Sequence, residues 1–364
     1  MKIMFYIGSM GKGGAERVIS ILSNFFVNKY KIIIVTTVKS TCFYKIDNDI
    51  ELISLDKNNE NKNFLIRNIN RELRLKKIIF NKKPDIIITF LPEPSYRVLM
   101  LQLKIPIIVS IRNDPKIEYN NTGRKLIMKI LYKKANGFVF QTEDAKKYFS
   151  RKIQEKSIII FNPLSAEFDK APYDGTREKI IVNVGRLEKQ KNQKLLIKSF
   201  NNILVKYPDY KLYIYGEGTE RKYLQELIDE LKLTNNVILK GISNNIKSAI
   251  YKKSLFVLSS NYEGMPNSLI EAMALGLPVI STDCPCGGPK ALIENNVNGI
   301  LVSPNNIDEL TQSIEKVLEN PKYSKKIGIR ANMIYEKLNE NVICNEWDDY
   351  IKKTINICKI ENKK

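Results

Sequence analysis

The chain has 364 residues, of which 43% are hydrophobic and 27% charged, and its formal net charge at pH 7 is +20. That length exceeds one typical hydrophobic core and predicts two domains, while the balance of apolar and charged residues excludes wholesale disorder, a fibrous repeat and a polytopic membrane protein. Histidine is absent, which excludes a Ser-His triad, an imidazole base and a His-ligated zinc.

Five scattered cysteines, Cys42, Cys284, Cys286, Cys344 and Cys358, are unlike the dense framework of a small secreted domain and fit a reducing cytoplasm. No uncharged run approaches the roughly 18 residues of a spanning helix, and the short apolar stretch 1–7 is expected to be neither a signal peptide nor an anchor. The charge is uneven. Residues 1–170 carry 31 Lys and Arg against 16 Asp and Glu, and residues 171–364 carry 28 against 23. Two readings stand: the first half faces something anionic, or a chain this rich in Lys, Asn and Ile reflects an AT-rich genome.

Along the first half, β-branched runs at 2–7, 31–37, 50–55, 85–90, 105–111, 137–140 and 157–161 read as strands, several apolar throughout, as in sheets covered on both faces. Between them, 15–29 and 66–80 have helical spacing, so the pattern is βαβ and predicts a doubly wound parallel sheet. Residues 162–179, polar and punctuated by Pro163, Pro172 and Gly175, read as the inter-domain linker. The pattern then restarts, with strands expected at 180–184, 211–215, 237–240, 255–259, 278–281 and 299–302. Residues 308–360 are helical in pattern, so the final helix must dock on existing surface. The expected domains are 1–165, joined by a helix at about 342–360, and 176–341.

Three segments carry chemistry. Gly8-Ser-Met-Gly-Lys-Gly-Gly14-Ala-Glu16-Arg17 follows the first strand and opens the first helix, where glycines admit a ligand close to the backbone and free N–H groups bind phosphate. It is neither a Walker A loop nor a G-x-G-x-x-G, and Lys39 stands where a dinucleotide site wants an acid; a tight turn without a ligand is the other reading. Gly185-Arg186-Leu-Glu-Lys-Gln-Lys191-Asn192 occupies the matching place after the first strand of the second domain. An Arg fork and a Lys ammonium converging there can neutralise a diphosphate, although basic loop residues are commonly just solvated.

The third segment, Ser259-Ser-Asn-Tyr-Glu263-Gly-Met-Pro266-Asn-Ser268-Leu-Ile-Glu271, runs strand, loop and helix, with Pro266 expected at the first helical position and Gly276 as the terminator. Amides of Asn267 and Ser268 at the helix start suit an anion, and the Glu263 and Glu271 carboxylates suit sugar hydroxyls, which are donors. Paired carboxylates also suit hydrolysis, but beside an anion-binding helix start a phosphate-bearing donor is the better fit. Glu271 as an ordinary residue of an amphipathic helix is the alternative, weakened by a helix too apolar to be a solvated face.

In this order the three segments resemble the retaining family 4 glycosyltransferases of the GT-B fold, and the resemblance covers nearly the whole chain. It implies an α/β architecture of two Rossmann-like doubly wound parallel-sheet domains facing across a cleft, an N-terminal acceptor domain and a C-terminal nucleotide-sugar domain, with the C-terminal helix returning to the first. It further implies that Arg186 and Lys191 bind the donor diphosphate, Glu263 the transferred sugar and Glu271 the nucleotide ribose. Gly264, Met265, Asn267 and Ser268 would hold sugar and phosphate, Gly13 and Gly14 would close over the phosphates or the acceptor, and the loop from Gly241 to Asn245 would border the base, with Glu217 a further cleft candidate.

Where many members carry a histidine this chain has Arg112, Asn113 and Asp114, the acceptor-side candidates. Residues 110–115 together with 283–290 resemble the branch that adds hexoses or N-acetylhexosamines to polyprenyl-diphosphate-linked glycans of surface polysaccharides or glycoproteins. The implied partners are a UDP-sugar and a lipid-linked glycan, with no nucleic acid. By the same resemblance no cofactor and no metal are expected, since Arg186 and Lys191 would neutralise the diphosphate, and no protein base is required, since the leaving phosphate itself would accept the acceptor's proton. Cys284-x-Cys286 lacks a second pair and reads as structural rather than metal-binding.

The basic, apolar-interleaved stretches 62–83 and 124–134 suit an anionic membrane surface, which places the protein in the cytoplasm on the inner face of the cytoplasmic membrane; a helix with a solvated basic face on its sheet is the other reading. Nucleic-acid binding, suggested by the pI near 9.5, lacks a recognisable motif. A GT-B epimerase or phosphorylase, or an inactive scaffold subunit, are the remaining alternatives.

Overall fold

Runs of Ile and Val without a polar face must be buried on both sides, and that constraint organises both halves of the chain. The computed structural model describes residues 1–56 and 63–361. Two units are formed, Met1–Pro163 with Glu340–Lys364, and Leu164–Asn339.

In the first unit the strands are β1 (Lys2–Ile7), β2 (Lys31–Thr36), β3 (Glu51–Ser54), β4 (Ile86–Phe90), β5 (Ile107–Ser110), β6 (Gly137–Phe140) and β7 (Ser157–Ile159). They lie in the order β3-β2-β1-β4-β5-β6-β7, all paired parallel. The order reverses between β1 and β4, the mark of a doubly wound sheet. The helices that concern the surface are α1 (Gly14–Phe26), α2 (Phe64–Lys82), α3 (Pro92–Met100) and α4 (Thr122–Leu131).

Asn63 caps α2 by accepting from the Leu65 and Ile66 amides, and Arg71, Leu75 and Ile79, spaced one turn apart, form its buried side. Arg71 therefore leaves the basic surface expected for 62–83: both its Nε and Nη2 donate at 2.7 Å to the Asp56 carboxylate. Lys62, the first residue of that stretch, lies outside the described residues.

The second unit repeats the plan with β8 (Glu178–Val184), β9 (Lys211–Tyr215), β10 (Val237–Gly241), β11 (Lys253–Leu258), β12 (Val279–Thr282) and β13 (Ile300–Val302). Their order is β10-β9-β8-β11-β12-β13, again parallel. The helices that frame its chemistry are α5 (Gln193–Leu204) and α6 (Asn267–Ala274). Every strand expected from the sequence is present, with ends shifted by a residue or two.

The segment expected as a free linker is instead folded onto the second unit. Phe168 is buried, and the Arg177 guanidinium donates to the carbonyls of Tyr251, Lys253 and Gly276. Gly276 has φ +67 and closes α6 in a Schellman turn, with its own N–H on Met273 and that of Leu277 on Ala272. A side chain there would also strike Pro172 at 2.6 Å, so the polar segment is held by the helix terminator that the sequence announced.

The final helix, α7 (Glu340–Glu361), belongs to the first unit. Ile343, Trp347, Tyr350, Ile351 and Thr354 form its buried stripe. Trp347 stacks on Phe90 at 6.0 Å, and the Tyr30 hydroxyl donates to Asp348 at 2.7 Å. The Tyr350 hydroxyl is both acceptor and donor, taking the Phe138 amide at 2.9 Å and giving its proton to the Lys156 carbonyl at 2.7 Å. Phe138 N–H also reaches the Lys156 carbonyl directly at 3.1 Å, so Tyr350→Phe removes two hydrogen bonds without stranding either backbone group and is expected to lower the unfolding free energy by about 0.5–1.5 kcal/mol, read as a fall in the urea midpoint without a change of slope.

Candidate active site

In a doubly wound sheet, ligands collect outside the carboxyl ends of the strands where the order reverses. In the second unit that point lies between β8 and β11, and the two most distinctive sequence segments are the loops leaving these two strands. Residues 72 apart in sequence thereby meet: Lys191 Nζ lies 2.5 Å from Glu263 Oε1. Ser260 Oγ donates to the same oxygen at 2.6 Å. The side chains are 15% and 6% exposed, so the carboxylate is nearly out of water and would be costly without these partners.

Backbone bonds fix the two loops on each other. Asn261 N–H donates to Gln190 O, Asn261 Nδ2 to Lys189 O, Gln190 Nε2 to Tyr262 O and Ser259 Oγ to Lys191 O. Glu263 is also held from β12, its N–H on Pro285 O at 2.6 Å and its carbonyl accepting from Cys286 at 3.0 Å. This assigns Cys284-x-Cys286 a structural place. Burial, followed by the nearby Glu263 charge, pushes the Cys284 thiol up to about 12, which keeps it protonated and unlike a metal-ligating thiolate. Among the described residues no group of three or more His, Cys, Asp or Glu side chains converges to hold a metal ion.

Arg186 is exposed, with its carbonyl accepting from Gln193 Nε2 at 3.0 Å and its charge lowering the Glu188 carboxyl, which Thr219 holds first. Gly216 (φ +143) and Gly218 lie against this loop so closely that a side chain would meet Gly185 O at 1.9 Å or Leu187 O at 2.3 Å. That contact lets Leu187 N–H reach Glu217 O at 3.0 Å. The Glu217 carboxylate is exposed and paired with Arg221 at 2.7 Å, and Gly241 (φ +70) accepts from the Gly216 amide at 2.8 Å.

The helix start differs from expectation by one place. Pro266 is the cap, with ψ +102, and its carbonyl accepts from Leu269 and Ile270; α6 proper begins at Asn267, so Asn267 and Ser268 are its first amides. Gly264 and Met265 are buried, Asn267 and Ser268 half-buried, and Glu271 is buried on a helix whose other inner residues are apolar. A solvated-face reading of Glu271 is thereby excluded.

Gly13 and Gly14 belong to the first unit. Gly13 caps α1, and a side chain on it would meet the Glu16 carboxylate at 2.0 Å, so Gly-Gly-Ala-Glu is at least a local helix-start device. The acceptor-side candidates divide. Asp114 is buried and caps the one-turn helix Pro115–Glu118 through Lys116 N–H at 2.9 Å. Asn113 is half-buried. Arg112 lies over the rings of Phe90 (4.6 Å) and Trp347 (5.5 Å) and donates to Asn162 at 2.9 Å, while its Nε and Nη2 are enclosed without partners. Burial lowers its pKa to about 9. The Arg112 guanidinium is thus packed against Trp347 of α7, and Asp114 caps a turn.

The sequence reading did not include Ser260, the Asn192–Asn261 side-chain bond of 2.9 Å, or the backbone staple at 285–286. Ser260 directly follows a strand and precedes Glu263 by three residues, the one signal available for it.

Two Rossmann-like parallel sheets, each with its polar loops at the carboxyl edge, define the class of GT-B proteins. The model of the glycosyl transferases group 1 matches residues 166–333, and that of glycosyl transferase 4-like proteins matches residues 14–142. A Campylobacter jejuni N-acetylgalactosamine-N,N'-diacetylbacillosaminyl-diphospho-undecaprenol 4-alpha-N-acetylgalactosaminyltransferase is 30% identical over 346 residues, 91% of this chain and 93% of that protein. An uncharacterized glycosyltransferase of Methanocaldococcus jannaschii is 34% identical over 274 residues, 66% of each chain. In structure, Anabaena HepE in complex with UDP gives a TM-score of 0.83 at 17% identity, covering 97% of this chain and all of that one. The chain belongs to the glycosyl transferases group 1 family.

Removing the Lys191 ammonium leaves a buried carboxylate with Ser260 alone. Lys191→Ala is expected to cost about 3–5 kcal/mol of stability, and adding Glu263→Gln should recover most of it. Urea denaturation of the two single variants and the double variant measures the coupling; additive losses would show that the pair is not energetically joined.

Proposed function

We propose that the protein is a retaining glycosyltransferase of family 4 that moves a hexose or N-acetylhexosamine from a UDP-sugar to a polyprenyl-diphosphate-linked glycan, in assembly of a surface polysaccharide or glycoprotein glycan. The observation that carries the reading is the buried Lys191–Glu263 pair at the β8/β11 switch point, with exposed Arg186 on the same loop. A diphosphate competes for the ammonium and, in taking it, leaves Glu263 to accept from sugar hydroxyls. Arg186 supplies a second cation to the leaving phosphate, and the first amides of α6 point their dipole at the same charge.

Glu271 accepts from the ribose, Gly264 to Ser268 line sugar and phosphate, and Gly241 with Glu217 border the base. Attack from the face of the departing diphosphate lets that phosphate take the acceptor's proton, so transfer proceeds without a protein base, while Arg186 and Lys191 meet the charge of the leaving group in place of a metal. The Campylobacter relative's undecaprenyl-diphosphate substrate supports the acceptor class, and the UDP bound by the Anabaena structure supports the donor.

Surface chemistry of the first unit supports a membrane-bound acceptor. Outward from α2 stand Phe64, Leu65, Ile69, Leu73 and Phe80, the last 75% exposed, and from α4 stand Leu126, Ile127 and Ile130. Exposed Lys76, Lys77, Lys125 and Lys129 accompany them. A merely solvated basic face would not carry this apolar surface, whereas an anionic bilayer matches both components. Among the described residues no helix is long and apolar enough to cross a membrane, so the proposed location is peripheral, on the cytoplasmic face of the membrane.

UDP, but not ADP, is expected to raise the melting temperature of the wild-type protein with or without EDTA. Arg186→Ala should abolish most of that shift and cut turnover of the matching UDP-sugar by about 10²-fold or more; near-wild-type turnover would overturn the diphosphate assignment. In flotation assays, vesicles containing anionic phospholipid should carry the protein upward at low salt, and Leu73→Glu with Phe80→Glu should release it. Equal recovery with and without anionic lipid would remove the membrane surface.

A further inference from the structure

The first unit contains an open pocket of about 610 Å³ outside the carboxyl ends of β2 and β3. Thr36, Lys39, Ser40, Leu52, Ser54 and Asp56 line it together with Met10, and the second-unit residues assigned to the donor do not contribute. Its size is that of a small-molecule site, commonly about 300–1,000 Å³.

Three features define what would fit. First, the polar groups are mixed: one carboxylate, one ammonium and three hydroxyls, a set that both accepts from and donates to a polyol. Second, the carboxylate is held in place. Arg71 Nε and Nη2 grip the two Asp56 oxygens at 2.7 Å from the buried side of α2, and this hydrogen bonding keeps the Asp56 carboxyl below its usual range. Each oxygen keeps a lone pair for a further donor. Third, the hydroxyl of Ser54 is buried and has no hydrogen-bond partner among the described residues, a deficit of the kind native structures rarely leave.

Apolar surface accompanies these groups. Leu52, on the edge strand β3, is 41% exposed. The Phe43 amide donates to Met10 O at 3.0 Å, and the Met10 amide to Ser40 Oγ at 3.0 Å, so the loop bearing the aromatic ring is fastened to the pocket wall. A free anion would be met by Asp56 at close range, and a purely apolar ligand would leave the hydroxyls unpaired. A pyranose, with hydroxyls on its rim and a C–H face, satisfies both parts.

We propose that this pocket is a carbohydrate subsite that holds a hexose or N-acetylhexosamine unit of the acceptor glycan. The assignment to the acceptor rests on the transferase reading above; the assignment to a pyranose does not. The substrate's sugar would lie with its hydroxyls on Asp56, Lys39 and Ser54 and its C–H face toward Leu52.

Saturation-transfer NMR of the full chain with the methyl α-glycosides of N-acetylgalactosamine, N-acetylglucosamine, galactose and glucose tests the pocket directly. At least one should receive saturation from the wild type. Leu52→Trp, which fills the pocket from an exposed position, should abolish that signal, and Ser54→Ala should weaken it, both with the UDP-induced melting shift unchanged. In steady-state assays with a polyprenyl-diphosphate-linked oligosaccharide, Leu52→Trp should raise the acceptor KM at least tenfold and leave the UDP-sugar KM within twofold.

Signal that survives Leu52→Trp, or no signal from any glycoside while UDP still stabilises the protein, overturns the subsite. A raised donor KM with an unchanged acceptor KM overturns its assignment to the acceptor. Glycoside binding here in a protein that no nucleotide stabilises would uphold the subsite and overturn the transferase reading instead.

Discussion

A carboxylate that is nearly out of water needs a partner, and around Glu263 the second unit is arranged to supply one. Lys191 arrives from the loop after β8, Ser260 from the end of β11, and the 285–286 backbone from the loop after β12. Three neighbouring strand ends are thereby tied to one residue, two through its carboxylate and the third through its backbone. In the proposed donor complex the same two groups would be separated, the ammonium passing to phosphate and the carboxylate to sugar hydroxyls. Preorganisation of this kind avoids ordering flexible charges at the moment of binding.

The loops facing this pair owe their positions to residues without functional groups. Gly216 and Gly218 permit the loop after β9 to lie directly on Gly185 and Leu187, so the Arg186 loop is fixed from the other side as well. Gly288 performs the same service for α6, since a side chain there would meet Gly264 O at 1.8 Å. The glycine-rich composition of these loops is therefore explained by backbone contact between loops before any ligand is considered.

Strand and helix periodicity made nearly the whole fold legible. Each expected strand formed because apolar runs of four to seven residues have only one covered environment in an α/β protein. What sequence could not show was which loops meet: that Lys191 faces Glu263 follows from β8 and β11 being neighbours, a consequence of the strand order rather than of either motif. Asp114 carries a second signal: an Asp directly before Pro115 marks a helix start, and the side chain does cap the turn that follows. Arg112 was unreadable for a physical reason, since nothing local says whether a guanidinium points to solvent or lies on Phe90 and Trp347 from elements far away in sequence.

The surplus of positive charge in the first half also takes on structure. Arg71, Arg74 and Lys82 are consumed internally, on Asp56, on the Leu55 carbonyl and on Glu51 respectively, which leaves Lys76 and Lys77 beside the exposed apolar residues of α2. One helix therefore has two commitments. Its outer side presents Phe64, Leu65, Ile69, Leu73 and Phe80, and from its inner side Arg71 fixes the carboxylate that lines the 610 Å³ pocket. On the two proposals above, the helix that meets the lipid would also brace the carboxylate that meets the sugar, joining the two parts of a lipid-linked glycan in one rigid element. Because a bidentate Arg–carboxylate pair tolerates little displacement, movement of α2 at a bilayer would be felt at Asp56 before it was felt anywhere else in the pocket.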